Sequence, residues 1–446
     1  MTRLLYTLLM WLVQPLVRRK LARRGQVEPG YLEAVPERFG HYAGQPWPGD
    51  GNTVWVHAVS LGETRAAATL LARLRERLPG MRLLLTHGTA TGRLEGARLL
   101  QAGDVQSWQP WDTPATVRRF LDHFKPRIGI LMETEIWPNL ARACQGAQVP
   151  LVLANARLSE LSLQRARRLS WLARPAYRSL AAVWAQTPGD ATRLASLGAP
   201  VQGMFGNLKF DAAPDTALLA RGKAWRVALG RPVVLLASSR EGEEEALLQY
   251  LKRNAPITLV NNDVVATNLV ANKVQWLIVP RHPQRFDEVA ALIEAHGFTV
   301  SRRSTWSHGP PADEAADGAA IWLGDSLGEM ALYYGLADLA LLGGSFEPLG
   351  GQNLIEAAAC ACPVLMGPHT FNFAEAAELA EAAGAALRVP SLAQAATTAL
   401  ALANNPLQRA AMVRAAAVFS NGNGGAVEKT AAAVVALLEQ QRVDAL

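Results

Sequence analysis

Cysteine is nearly absent from the chain, with three in 446 residues: Cys144, Cys360 and Cys362. An odd number without paired spacing supplies neither a disulfide framework nor a zinc ligand set. Cys360 and Cys362 lie in the Ala-rich run Glu356 to Pro363 and read as small buried thiols, so a reducing, cytoplasmic compartment is expected. Charge is also sparse, 18% of residues against 50% hydrophobic, which excludes an extended disordered polymer. No paired-aspartate metal motif stands at a strand end, and there is no His/Cys cluster or Gly-x-Ser-x-Gly elbow. Chemistry without a metal or a resident cofactor is the expectation. Long apolar runs are missing too. The opening stretch Leu4 to Val17 falls short of the ~20 residues that a comfortable membrane span needs, and Pro15 would kink or end it.

Positive charge is concentrated immediately after that stretch. Arg18, Arg19, Lys20, Arg23 and Arg24 stand where a membrane protein carries its cytoplasmic positive charge. On a helical wheel Arg3, Thr7, Gln14 and Arg18 fall close together and leave the rest apolar, which suits a helix lying in the membrane interface. A short span and a buried N-terminal helix are the competing readings. A cleaved signal peptide is disfavoured, because the basic cluster comes after the apolar run and no small-residue cleavage site appears. The net charge of +6 points to an anionic partner, and its placement favours the inner face of a membrane over a nucleic acid polymer.

Two domains of comparable size fit the length. From Thr53 to Gln202, short β-rich runs alternate with longer stretches of helical period, the pattern of βαβ units on a parallel sheet. Strands are predicted at Thr53 to His57, Arg82 to Thr86, Ile128 to Met132, Leu151 to Asn155 and Ala182 to Ala185. The segment Gly206 to Asp215 breaks the periodicity and marks the junction. A second series lies at Val233 to Ala237, Trp276 to Val279, Ile321 to Leu323, Leu339 to Leu342 and Val364 to Met366. Residues 312–320 read as a low-specificity loop, and Gly425 to Leu438 as a closing helix of the second domain. The predicted strands lead into the unusual loops, which in an open parallel sheet share one edge, where ligands bind. Two Rossmann-like domains facing each other across a deep cleft would hold a donor in one half and an acceptor in the other.

Several loops carry candidate chemistry, each with a plainer alternative. Gly343 to Glu356 lies between a strand and a helix, and its paired glycines let backbone amides approach an anion. Asn353 and Glu356 are also spaced as an N-cap and its partner, a role that can coexist with binding. Ser60-Leu-Gly-Glu63 and Ser326-Leu-Gly-Glu329 repeat the same four residues once in each half. Both match a capping box, which spacing alone favours, although a glutamate at the mouth of a cleft is also placed to accept a hydroxyl proton. Arg281-His282, between Pro280 and Pro283, offers two donors on a stiff loop, or an ordinary surface pair. Lys209 could reach a negative charge in the cleft or simply be solvated. Glu133 and Glu135 are two apart and would point to opposite sides of an extended chain.

Taken together, His57 to Glu63, Glu133 to Pro138, Asn155 to Ser159, Gly206 to Asp211, Pro280 to Phe286, Gly324 to Glu329, Gly343 to Glu356 and Gly367 to Phe373 give the chain its resemblance to the 3-deoxy-D-manno-octulosonic acid (Kdo) transferases. That resemblance implies a GT-B fold in three parts: a membrane-anchoring helix with a basic flank (1–24), an acceptor domain (38–208) and a CMP-sugar donor domain (209–440). It implies an inverting, metal-independent transfer of Kdo from CMP-Kdo to the lipid A precursor at the cytoplasmic side of a bacterial inner membrane. Glu63 then matches the general base, and Glu133 and Lys209 the transition-state stabilisers. Arg281, His282, Leu327, Gly328, Glu329, Asn353, Leu354, Ile355 and Glu356 match the CMP-contacting segments. Two departures stand out: a longer stretch at Ala255 to Gln275, and Gln352 where some members carry His. The rival readings are a GT-B transferase or epimerase that uses a UDP-sugar, and an inactive membrane-bound glycolipid-binding scaffold.

Overall fold

The computed structural model describes residues 2–49, 51–211, 213–254, 257–260, 263–266, 274–311 and 320–444. It divides into two compact units, Met1–Asp211 with Gly424–Leu446, and Ala212–Asn423. The low-specificity loop expected at 312–320 falls outside the described residues except for its last one.

The first unit is built on seven parallel strands: β1 (Thr53–His57), β2 (Arg82–His87), β3 (Val105–Trp108), β4 (Ile128–Met132), β5 (Leu151–Ala156), β6 (Ala182–Ala185) and β7 (Val201–Met204). Their order is β3-β2-β1-β4-β5-β6-β7, so the sheet is wound outward in both directions from the β1/β4 pair. Alternate side chains feed two cores. Trp55, Leu84, Leu131 and Leu153 pack on one face with Phe120 and Leu140. Val54, Leu83, Ile130 and Val152 pack on the other with Leu70 and Leu74.

The expected tail of the second domain is a correction. The helix Ala426–Asp444 places Ala426, Ala431, Val434 and Leu438 in the second of those first-unit cores. Asp211 fixes its start by accepting from the backbone N–H groups of Gly425 and, at 2.6 Å, Val427. The second unit therefore ends at Asn423 rather than near 440, because the apolar stripe of the last helix has its complement on the first sheet.

The second unit has strands β8 (Val233–Ser239), β9 (Ile257–Val260), β10 (Asp263–Ala266), β11 (Gln275–Pro280), β12 (Thr299–Arg302), β13 (Ala320–Leu323), β14 (Leu339–Leu342), β15 (Val364–Met366) and β16 (Ala386–Arg388). Seven form a parallel sheet in the order β12-β13-β11-β8-β14-β15-β16. The other two, inside the long stretch 255–275, pair antiparallel with each other.

Helix α1 (Thr2–Val27) runs through Pro15 and packs on the first unit. The face carrying Tyr6, Thr7 and Met10 turns toward the protein. The Thr7 hydroxyl donates to Asn139 Oδ1 at 3.2 Å, Tyr6 donates to Asp112 at 2.8 Å, and the Met10 carbonyl accepts from the Trp111 indole at 2.8 Å. Leu4, Leu5, Leu8, Leu9, Trp11, Leu12 and Leu16 are all more than half exposed. Arg3 and Arg18 of the polar stripe are exposed, as an interfacial helix requires, while Thr7 is taken by the protein and the apolar residues are turned out. No helix among the described residues is long and apolar enough to cross a membrane.

Candidate active site

At the C-terminal end of β1 the chain makes a short loop into α2 (Leu61–Arg77), which Ser60 caps by accepting from Glu63 N. The Glu63 carboxylate returns the contact, accepting from the Ser60 hydroxyl and from Val59 N, both at 2.9 Å. The expected capping box is formed, with Val59 rather than Ser60 supplying the backbone donor. It also serves to aim the carboxylate. Burial is the largest influence on Glu63 and raises its pKa from 4.5 to about 7; its two hydrogen bonds oppose that, and the nearby Glu133 and Glu135 add to it.

The loop after β2 clamps this segment, a role that spacing did not single out. Val59 O accepts from Gly88 N (3.1 Å), Thr89 N (3.0 Å) and the Thr89 hydroxyl (3.0 Å). His57 Nδ1 lies 2.9 Å from Thr86 Oγ1, and His87 Nδ1 lies 3.1 Å from Ala58 O. Burial lowers the pKa values of His57 and His87 to about 3 and about 4, so both are neutral at pH 7. Gly92 lies under the same turn, where a Cβ would sit 3.1 Å from Val59 O.

Glu133, just past β4, has φ 59°, in the left-handed region, as does Asn155 on the neighbouring β5 (φ 52°). Lys209 Nζ stands 3.8 Å from Glu133 Oε1. Asn207 precedes Lys209 and ties it to the sheet, accepting from Lys209 N at 3.0 Å and donating to Gln186 at 3.2 Å. Gln186 donates to Asn155 O, and Asn155 Oδ1 accepts from Leu208 N. The three residues matched to catalysis, Glu63, Glu133 and Lys209, thus share one unit and one sheet edge. Lys209 falls in the first unit, not at the start of the second.

The second unit supplies a different chemistry. Arg281 and His282 come directly after β11 and are exposed, and His282 is held below its ordinary pKa by partial burial and by the charges of Arg240 and Arg281. Asn353 caps the helix Leu354–Ala359, accepting from Ile355 N at 3.2 Å, so the capping alternative is realised there. Ser326-Leu-Gly-Glu329 corrects the other capping expectation. Its helix (Met330–Leu336) begins only after Glu329, with no side-chain cap. Glu329 instead accepts from the Ser326 hydroxyl at 2.5 Å and pairs with Arg221 and Arg303, both at 2.8 Å. Leu327 is three-quarters exposed, at 74%, and Gly328 has φ 78°.

Glu243 was not singled out by spacing, yet it organises the glycine loop. Its buried carboxylate accepts from Gly344 N (2.8 Å), Arg240 N (2.9 Å) and Phe346 N (3.3 Å), which joins the loop after β8 to the loop after β14. Gly343 makes this closeness possible, because a Cβ there would lie 2.3 Å from Ser238 O and 2.6 Å from Ala237 O. Gly343→Ala is expected to destabilise the second unit by about 1–3 kcal/mol, checked by denaturant unfolding. Among the described residues, no group of three His, Cys, Asp or Glu side chains is assembled to hold a metal ion.

Two doubly wound sheets of this kind define an α/β enzyme architecture that binds ligands outside the carboxyl ends of its strands. The fold is like that of UDP-GlcNAc 2-epimerase from Neisseria meningitidis, with TM-score 0.52, 15% identity and coverage of 86% of this chain and 99% of that one. Residues 33–212 match the family model described as 3-Deoxy-D-manno-octulosonic-acid transferase (kdotransferase). A 3-deoxy-D-manno-octulosonic acid transferase from Bordetella pertussis is 45% identical over 438 residues, 96% of this chain and 98% of that relative. The same-named protein of Haemophilus influenzae is 31% identical over 434 residues, 96% and 97% of the two chains. The chain belongs to the 3-deoxy-D-manno-octulosonic acid transferase family. It is a glycosyltransferase that moves Kdo in lipopolysaccharide biosynthesis.

Proposed function

We propose that the donor is CMP-Kdo, that the acceptor is the lipid A precursor, and that Glu63 is the general base. The observation that carries this reading is the Glu63 carboxylate, fixed by two donors at 2.9 Å with its pKa raised to about 7. A base titrating near the working pH is both free to accept a proton and basic enough to help. The acceptor hydroxyl oxygen attacks the anomeric carbon of Kdo from the face opposite the phosphate and inverts that centre. Its proton passes to Glu63. The bond from anomeric carbon to phosphate oxygen breaks, and CMP leaves with the electron pair.

Positive character on the sugar and negative charge on the phosphate develop together, so fixed donors near the phosphate lower the barrier. Arg281 and His282 supply those donors in this scheme, with the Leu327–Glu329 and Asn353–Glu356 segments holding the nucleotide. Lys209, oriented by Glu133, adds a positive charge on the acceptor side. The test is to incubate the protein with CMP-Kdo and tetra-acylated lipid A precursor and to follow the lipid's mass. A gain of one or more Kdo units supports the reading; an unmodified lipid beside intact CMP-Kdo overturns it.

The acceptor is anchored in a bilayer by its acyl chains, and we place α1 on the cytoplasmic face of the inner membrane with its outward leucines inserted. The support is the turned-out apolar face of residues 4–16, with the basic cluster at 18–24 directly after it. Leu8→Glu with Leu12→Glu is expected to lower flotation with anionic phospholipid vesicles by roughly 10²-fold, since burying each leucine is worth about 1.5–3 kcal/mol. Unchanged flotation would remove α1 from the interface.

A further inference from the structure

Beside α1 lies a cavity of about 440 Å³ that the transfer chemistry does not use. That is within the range of small-molecule sites, roughly 300–1,000 Å³. Its walls are mostly apolar and include Tyr6, Ile136, Trp137, Leu169, Leu172 and Tyr177. Two features relate it to its surroundings. Its lining includes Glu135, two residues after Glu133 in the loop beyond β4, and the Trp137 indole donates to the Glu135 carboxylate at 3.0 Å. Its lining also includes Leu169, half exposed at 50% and close in sequence to the exposed Trp171, while Leu5 and Leu9 flank the lining residue Tyr6 on α1 and are also exposed. The cavity therefore borders both that apolar surface and the loop that carries Glu133.

Apart from the Glu135 carboxylate in its lining, the charge beside it is mainly positive. Arg165 is part of the lining, and residues 157–178 contain six arginines (157, 165, 167, 168, 174 and 178) against a single acid, Glu160. A soluble apolar molecule would have no use for that flank; an anionic amphiphile would use both parts. We propose that this cavity receives one acyl chain of the phosphorylated lipid acceptor, with the arginine flank matching the lipid's phosphate. The proposal rests on the lipid A precursor being the acceptor. In this arrangement the chain lies along the α1 side of the cavity, and the sugar to which it is attached stays beside the Glu133 loop. The acyl chain acts as a measure of length that sets how far the hydroxyl reaches. Specificity for an acylated acceptor would then be a property of the first unit alone.

The test compares kcat/KM on the tetra-acylated precursor with kcat/KM on the deacylated phosphorylated disaccharide. The wild type is expected to prefer the acylated form by about tenfold or more, a modest demand for several buried methylenes. Ala166 and Ala173 line the cavity, so Ala166→Phe and Ala173→Phe fill it, and each is expected to bring that ratio toward one. Variants that melt like the wild type and keep its ratio would overturn the proposal.

A second measurement needs no folded variant beyond a control. Acceptor with brominated acyl chains should quench the Trp137 component of wild-type fluorescence, defined by difference against Trp137→Phe. Absence of that quenching, or equal quenching by brominated phospholipid alone, would sink the assignment to the acceptor chain. If the brominated acceptor quenches Trp137 but the wild type glycosylates neither acceptor, the cavity stands and the acceptor's role as substrate falls.

Discussion

Replacing Glu63 by Gln is expected to lower kcat/KM by ~10² to 10⁴ while leaving the loop in place. The amide oxygen can still accept from Val59 N or the Ser60 hydroxyl, the two donors that hold the native carboxylate at 2.9 Å. The pH profile makes the effect diagnostic. With the Glu63 pKa raised to about 7, the wild-type rate should climb about tenfold per pH unit below that value and level off above it. His57 and His87 cannot produce that limb, since their pKa values lie at about 3 and about 4. His282 is also shifted down rather than up. The limb should disappear in the Gln variant, and a limb that persists would assign the titration elsewhere.

The same carboxyl has a consequence for stability whose sign is fixed by the direction of its shift. Its folded pKa of about 7 lies above the ordinary 4.5, so the folded state binds the proton more tightly than the unfolded one. Stability then falls as pH rises through the interval from 4.5 to 7 and stays lowered above it. Glu63→Gln should therefore melt higher than the wild type at pH 8 and no higher at pH 4. A gain of stability on loss of activity is the pattern of a site strained for function.

Periodicity located the strands that are apolar on both faces and passed over those that are not. β1, β4 and β14 are buried at every position and were bounded correctly. β7 alternates half-buried and exposed, as an edge strand does, and β16 is three residues long at the other sheet's edge; neither makes an apolar run. The last helix has the composition of any Ala-rich surface helix, so nothing in its own residues says which sheet it covers. The Asp211 cap that returns it to the first unit spans more than two hundred residues of chain.

The candidate site was legible to a similar degree. Motif spacing and family resemblance together named Glu63, Glu133 and Lys209, and the fold places them on one edge. They could not name the residues that hold the loops of each unit in place. Thr89 and His87 act through backbone carbonyls of a different loop, and Glu243 through three backbone N–H groups, so their roles depend on which turns meet in space. The Glu329 error has the same origin. A Ser-x-x-Glu spacing is shared by a capping box and by a hydroxyl contact beside an arginine pair, and only the positions of Arg221 and Arg303 distinguish them.

Arg285→Ala should strongly destabilise the second unit. The guanidinium meets Glu244 through two hydrogen bonds, 2.8 and 3.2 Å, and reaches Glu288 at 3.1 Å, while the Glu244 side chain is wholly buried and also accepts from the Ser239 hydroxyl at 2.7 Å. Removing one partner leaves a carboxylate uncompensated inside the protein, at a cost of about 3–5 kcal/mol in denaturant unfolding. Arg285→Met with Glu244→Leu should recover part of that loss, because an apolar pair of similar volume replaces both charges. The remainder, about 1–3 kcal/mol, reflects the buried Ser239 hydroxyl left without its acceptor, and adding Ser239→Ala should remove it. The triple variant then separates two roles for the pair. Arg285 lies only a few residues beyond Arg281 and His282, and Arg285 N donates to the His282 carbonyl at 3.0 Å. If the ion pair only fixes that loop, the repacked protein should bind CMP as the wild type does in calorimetry. If the Arg285 charge itself draws the phosphate, stability will return and affinity will not, and the remaining deficit should shrink as salt is raised.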